Sequence, residues 1–331
     1  MLFVLDSSYT FYTLQSRMLH RLTSIHHRLG EVRARHLQFP AASLEKAYRV
    51  SAVHATLALE GNVLEPLPVA QLVSRPDRTS GPAALEVVNT HSVHELLPDL
   101  DPALAHDLRR AHGVLMHGLA IDAGHFRTGP MDVLYGDPIP LRSAPATNLS
   151  IQVEELLDLV DSDDAPPMIT SCVLHFGLVY LRPFSAGNGR LARLWQRRML
   201  MRQWPVFGFL PIEAFIHRTE QTYYAALEYA DSQGDCGGFI TYLLERIDEA
   251  LAELLAMPDP VRTASDRMAL FFQQGRVRSF RRKDYLAAFP GISAVTASRD
   301  LREAVFRGRL VREGDGRTAI YRRAGQHQEL V

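Results

Sequence analysis

The stretch that most constrains this chain is Leu181 to Arg193, LRPFSAGNGRLAR, a glycine-rich turn that opens onto an arginine-bearing amphipathic segment. Gly187, Asn188 and Gly189 allow a tight turn that aims successive N–H groups at one anion. A helix starting at about Arg190 adds the positive end of its dipole. Arg190 and Arg193 stand three apart, so on that helix both guanidinium groups reach the same side, toward whatever the turn holds. Gly-Asn-Gly alone serves packing as readily as binding. The two spaced arginines and the upstream Pro183-Phe184 pair turn the reading toward a phosphate cradle.

Pro183-Phe184-x-x-Gly187-Asn188-Gly189-Arg190-x-x-Arg193 resembles the signature of Fic-domain proteins, HPFx[D/E]GNGRxxR. The resemblance implies a mainly α fold, a Fic-type helical core with a β-hairpin flap, joined here to a C-terminal winged-helix module. It also implies AMP transfer from ATP to a protein hydroxyl, with Phe184, Gly187, Asn188, Gly189, Arg190 and Arg193 as nucleotide contacts. Two positions depart from the pattern: Arg182 stands at the family's catalytic histidine, and Ala186 at its acidic metal ligand. Asn188 and the backbone amides remain to stabilise charge on an α-phosphate, and Arg190 and Arg193 to hold the leaving pyrophosphate. A guanidinium, however, cannot take a proton near neutral pH, and an alanine offers no oxygen to Mg²⁺. Loss of a general base alone costs a factor of roughly 10²–10⁴ in rate.

Three functions follow from these residues. The favoured one is a repurposed, non-AMPylating regulator that binds ATP or another nucleotide or phosphate compound. The alternative is an active protein nucleotidyltransferase with a non-standard mechanism. The third is a removing enzyme in which Glu60 orients a water. No metal site is assigned to the protein's side chains.

With 331 residues, one large core and a smaller module are expected. The reading divides the chain into an N-terminal helical region (1–82), a Fic core (83–257) and a winged helix-turn-helix (258–331). A net charge of −1 excludes a uniformly basic nucleic-acid binder. No apolar run is long enough to span a membrane, and the first residues lack a basic leader, so the expectation is a cytoplasmic protein without membrane partners. Cys172 and Cys236 give neither a disulfide framework nor metal-ligand spacing.

Apolar spacing predicts helices over Tyr9–Leu37 and from a Ser43 cap to Gly61-Asn62. Prolines 66, 68, 76 and 82 predict a loop with at most a short helix. Further helices are expected over Ala83–Leu97, Pro102–Leu119, Ser150–Asp161, Pro166–Leu181, Leu191–Trp204, Glu213–Gln233 and Gly237–Met257. His175, two turns before Arg182, reads as a structural core histidine. Thr56-x-x-x-Glu60-Gly61 resembles the family's [S/T]xxxE[G/N] inhibitory motif, which implies that Glu60 pairs with Arg193 and withholds it from a γ-phosphate. The plainer reading leaves Glu60 decorating a helix end. Arg127 matches the arginine of the family's G-x-[FY]-R element. Residues 131–147, with β-type residues around Tyr135-Gly136-Asp137-Pro138, predict a hairpin. In the family this is the flap that holds a protein target; otherwise it is an ordinary surface hairpin.

Beyond Met257-Pro258-Asp259-Pro260 the chain is basic through 262–323. Three short helices and a two-stranded wing turned at Gly314-Asp315-Gly316 resemble a winged helix-turn-helix. Its recognition helix would span Ala294–Arg307, carrying Ser298, Arg299 and Arg302 outward, with Arg309, Arg317 and Arg322 along the wing. DNA binding and a packing or homodimerisation role stand equal at this point.

Overall fold

The computed structural model describes residues 12–130, 147–162, 165–257, 263–273, 279–289, 292–316 and 319–324. The hairpin expected at 131–147 falls almost wholly outside them, as does Arg317. The chain forms two compact units that meet at Met257/Pro258.

The first unit is helical: α1 (Ser16–Ala34), α2 (Ala42–Ala58), α3 (Pro66–Ser74), α4 (Gly81–Leu96), α5 (Ala105–Leu115), α6 (Leu149–Asp158), α7 (Pro167–Leu181), α8 (Asn188–Met201), α9 (Ile212–Arg218), α10 (Glu220–Gln233) and α11 (Gly237–Ala256). At its centre lies α7, apolar all round (PMITSCVLHFGLVYL) and buried on nearly every side against α6, α8 and α11. A helix without a polar face is stable only inside such a shell. Pro167 opens it where an N–H has no partner to lose. α8 is unusual in burying Asn188, Arg190, Arg193, Gln196 and Arg197 along with its leucines. Charges so placed need partners, and most of the site described below consists of them.

The N-terminal helices pack directly on this core, α1 along α11, and α2 against α9 and α8. α2 starts after Ala41 without a side-chain cap, so the expected Ser43 cap is not used. It ends as its sequence suggests: Gly61 takes a left-handed φ of 83°, and the Asn62 N–H returns to the Leu57 carbonyl at 3.0 Å. The single helix expected over Glu213–Gln233 is two helices. Thr219 breaks it, its hydroxyl donating toward the Phe215 and Ile216 carbonyls and meeting the Tyr242 hydroxyl at 2.8 Å, which offers the backbone an alternative to a continuous helix.

The second unit runs α12 (Ala264–Gln273), β1 (Ser279–Arg281), α13 (Arg282–Ala288), α14 (Ala294–Phe306), β2 (Leu310–Glu313) and β3 (Ile320–Arg323). Its sheet is three-stranded and antiparallel, in the order β1-β3-β2, rather than the two-stranded wing expected. β1 is three residues long with one inward residue, Phe280, too short for alternation to be read. Phe271, Phe280, Tyr285, Leu301 and Leu310 fill the interior. There Arg267 forms a charge-assisted pair with Asp300 (Nε to Oδ2, 2.6 Å), which Tyr285 also contacts. Ser293 caps α14 by accepting from the Thr296 N–H.

Candidate functional site

The loop between α7 and α8 is shaped by groups that grip its backbone. α7 stops at Arg182, a buried residue held at φ 43°, ψ 64°. This left-handed conformation is costly for any residue with a Cβ and persists only if its surroundings impose it. Arg127 does so. Its Nε donates to the Arg182 carbonyl at 2.7 Å, Nη2 to that of Leu181 at 3.1 Å, and its own N–H to that of Pro183 at 2.9 Å.

Asn188, expected to face a phosphate, turns back into the loop. Its Oδ1 accepts from the Phe184 N–H (3.0 Å) and its Nδ2 donates to the Phe184 carbonyl (2.8 Å). It clasps the loop's own backbone, with its carbonyl oxygen and one of its two amide N–H donors engaged there.

The other side is braced by α5, which the sequence reading did not connect to the site. His112 stacks on Phe184, ring centroids 3.7 Å apart and planes 11° from parallel. Its Nδ1 accepts from the Gly124 N–H at 2.9 Å, so Nε2 carries the proton and donates to the Ala186 carbonyl at 3.0 Å. Burial pushes its pKa down to about 4, against the opposing hydrogen bond to Ala186. Neutral, with both nitrogens engaged, it has no free lone pair with which to take up a proton. Met116 lies against Gly187 so closely that a Cβ there would meet its sulfur at 2.7 Å, and Gly187 has φ 74°. Nothing in the spacing of His112 and Met116 marks them; only their helix's packing brings them to the loop.

Held this way, the N–H groups of Gly187, Asn188, Gly189 and Arg190 find no acceptor among the described residues, and the first bond of α8 is Leu191 N–H to the Gly187 carbonyl. That is the open end of a helix, favourable to an anion. Beside this first turn lies a carboxylate of the protein itself: a Cβ on Gly189 would collide with Oε1 of Glu60.

The same oxygen accepts from Arg193 Nη2 at 2.7 Å. Arg193 also donates from Nε to the Thr56 hydroxyl at 2.8 Å and from Nη2 to the Thr56 carbonyl at 3.1 Å. Burial pulls against its charge, but Glu60 together with Tyr223 and Tyr224 more than offsets this and raises the pKa of Arg193 above its ordinary value. Gly61, whose backbone lets the chain turn away, completes the set. Thr56, Glu60 and Arg193, 137 residues apart at the extremes, are thus joined by hydrogen bonds. Tyr224 donates to the Leu59 carbonyl, and burial raises its pKa, with Glu60 adding to the effect. Tyr223 bonds to His175 Nε2 at 3.0 Å. His175 also meets the Gln196 Oε1 at 2.7 Å, wholly buried, with its pKa lowered by burial to about 3, as befits a structural residue.

Arg190 is placed differently. It is 5 % exposed, yet its Nε and Nη1 have no hydrogen-bond partner among the described residues, and its Nη2 meets only the Met116 sulfur at 3.6 Å. Its nearest anion, Glu86 on α4, stands 3.4 Å from Nη1, an ion-pair distance without hydrogen-bond alignment.

A protein-held metal does not fit the loop. Ala186 has no side-chain oxygen, its carbonyl is taken by His112, and no group of three or more His, Cys, Asp or Glu suited to a metal occurs among the described residues.

In the second unit, Ser298 corrects the expectation of an outward side chain. It is half-buried, donating to the Ala294 carbonyl and accepting from Arg282 Nη1 at 3.0 Å. Arg299 and Arg302 do face out, on one stripe of α14 with Val295 and Phe306.

A helical core thus brings the open first turn of α8 beside a carboxylate from its own N-terminal region. Residues 101–200 match the Fic/DOC family model. It is 28 % identical over 247 residues to "Protein adenylyltransferase Fic" of Nematostella vectensis, an alignment covering 69 % of this chain and 55 % of that one. The chain spans from about a third (31 %) to just over half (55 %) of the length of the first such relatives. A Fic family protein from Desulfovibrio desulfuricans superposes with a TM-score of 0.71 at 26 % identity, over 97 % of this chain and all of that one. Fic-1 of Caenorhabditis elegans shares the fold, with a TM-score of 0.58 at 19 % identity over 72 % of each chain.

Proposed function

We propose that the 182–193 loop binds the phosphates of a nucleotide, ATP or a close relative, and that this chain is a non-AMPylating regulator rather than a transferase. The observation that carries the reading is Glu60: a protein carboxylate bonded to Arg193 while lying over Gly189 occupies the place an anionic ligand would take. Arg190, buried and short of acceptors, supports the same reading, since a phosphoryl oxygen satisfies what the protein leaves open. Transfer is disfavoured because the chain offers no base. Arg182 cannot serve, and His112 is held neutral with both nitrogens bonded.

Calorimetry with ATP, GTP, AMP and a CDP-alcohol, with and without Mg²⁺, tests the binding. Glu60→Gly is expected to strengthen ATP binding by on the order of tenfold, because a competing carboxylate leaves the same donors. Intact-mass measurement after incubation with ATP tests the chemistry. Adducts formed by the natural sequence would establish the alternative, an active nucleotidyltransferase with a non-standard mechanism. Adducts arising only with Arg182→His, Ala186→Asp and Glu60→Gly together favour the regulator.

The C-terminal unit suggests what is regulated. Residues 258–331 carry 15 Lys and Arg against 8 Asp and Glu, whereas 1–257 carry 21 against 29, so the near-neutral chain conceals a basic module. Helix α14 follows α13 in a helix-turn-helix and turns Arg299 outward, with no partner among the described residues. A basic face of this form suits duplex DNA. Retention of a DNA duplex whose salt dependence becomes shallower by about one log unit per removed arginine, in Arg299→Ala and Arg302→Ala, is the expected result. Unchanged retention would favour a packing role for the module. Any protein target at the 131–147 flap falls within the same proposal and would be found by crosslinking.

A further inference from the structure

Arg193 and Arg190 each face a carboxylate, and the two carboxylates are connected. Asn62, one residue past the Gly61 turn, donates from Nδ2 to Glu86 Oε2 at 2.7 Å and to the Ala83 carbonyl at 3.1 Å, while its Oδ1 accepts from the Leu64 N–H at 3.0 Å. Glu86 in turn holds its other oxygen 3.4 Å from Arg190. The segment that delivers Glu60 to Arg193 therefore also fixes, two residues later, the group that faces Arg190. Resting on the phosphate-binding reading above, we propose that Glu86 is a second guard of the cradle. Coupled to Glu60 through Asn62, it restrains only ligands with contiguous phosphoryl groups, which reach past Arg193 to Arg190, and leaves those with one phosphoryl group untouched.

The geometry gives the two guards unequal grips. Glu60 makes a hydrogen-bonded pair, whereas Glu86 supplies charge without alignment and leaves Nε and Nη1 of Arg190 unsatisfied in a buried position. A single phosphoryl group can gain one fork by displacing one carboxylate, which exchanges one anion for another with little net advantage. A ligand with linked phosphoryl groups gains both forks and the open amides of α8 for a single ordering cost, and the second contact is effectively intramolecular. Asn62 joins the two displacements: once Glu60 and its turn move away, Glu86 loses the donor that aims it at Arg190. Glu86 is thus a specificity-determining residue with no part in any chemical step.

The probes are inorganic orthophosphate, pyrophosphate and tripolyphosphate, titrated calorimetrically into the full chain carrying Glu60→Gly, with and without Glu86→Gln. Glu86→Asp is a second variant that keeps the charge but shortens its reach. Melting curves confirm that each is folded. Glu86→Gln is expected to strengthen tripolyphosphate binding on the order of fivefold, as suits a partly exposed ion pair, and to leave orthophosphate unchanged. Asn62→Ala should give part of that gain when Glu86 is present and none when it is Gln. Equal tripolyphosphate affinity with and without Glu86→Gln would overturn the guard while leaving the cradle reading intact. An equal gain for orthophosphate would overturn the selectivity. Failure of every variant to bind tripolyphosphate would overturn the cradle reading itself.

Discussion

Arg193 and Arg190 lie one helical turn apart on α8, both buried, and the protein treats them in opposite ways. Arg193 is enclosed by Thr56 and Glu60, with three hydrogen bonds of 2.7–3.1 Å from its Nε and Nη2. Arg190 is enclosed as tightly by apolar and sulfur surface, yet has a misaligned carboxylate and two donors without acceptors. The difference teaches that burial alone does not distinguish a structural arginine from one kept for a ligand. What distinguishes them is whether the fold supplies the anion or leaves the donors waiting.

The largest test of the contrast is Arg193→Met. It strands the Thr56 and Glu60 partners and should cost roughly 2–4 kcal/mol in urea unfolding, below the full value for a buried pair because Glu60 can reach water. Arg190→Met should cost nothing measurable or stabilise slightly, since it removes a buried charge whose hydrogen bonds were never made. Equal losses for the two variants would dissolve the distinction.

Next in size is acidification. The folded-state pKa of His112 lies near 4, below the ordinary imidazole value, so its neutral form stabilises the fold fully above about pH 6.5. As pH falls from 6.5 toward 4 the unfolded chain takes up the proton first, and stability declines by up to about 3 kcal/mol from this group. His175 acts in the same direction down to about pH 3. His112→Gln, which cannot titrate, should flatten the upper part of that slope in pH-dependent unfolding, and an unaltered slope would remove His112 from the brace. Smaller still is Gly187→Ala. A side chain at φ 74° against Met116 should cost about 1–2 kcal/mol and loosen the loop beside Arg190. Gly189→Ala, without the φ penalty, should cost less. Its methyl meets the movable end of Glu60, so the readout is a weakened Glu60–Arg193 pair, seen as easier proteolysis after Gly61.

Much of this site is legible in one dimension because it is built from local spacing. Gly187-Asn188-Gly189 with arginines three apart can only be a turn and one helical face, and Glu60-Gly61 closes a helix whose glycine must turn left. Asn188 shows the limit of that legibility. Its position in the motif was clear, but whether its amide faces a ligand or the Phe184 backbone depends on a loop conformation that Arg127 imposes from 55 residues away. Ser298 misled for a similar reason: helical periodicity set it on the outer face, and a neighbouring arginine on α13 drew it in.

The sequence by itself determined the glycine-rich turn before α8, the helical class, the arginine and alanine at positions 182 and 186, and the basic character of the tail, because each follows from residue chemistry over a dozen neighbours or fewer. Only the tertiary structure decided which arginine is satisfied and which is starved, that Glu86 and Asn62 are linked beside Arg190, and that both nitrogens of His112 are engaged. Those outcomes depend on α2, α4 and α5 arriving at the start of α8 from distant parts of the chain. A buried charge is stabilised or left waiting by whatever packing places within about 3 Å of it, and spacing along a sequence does not encode that distance.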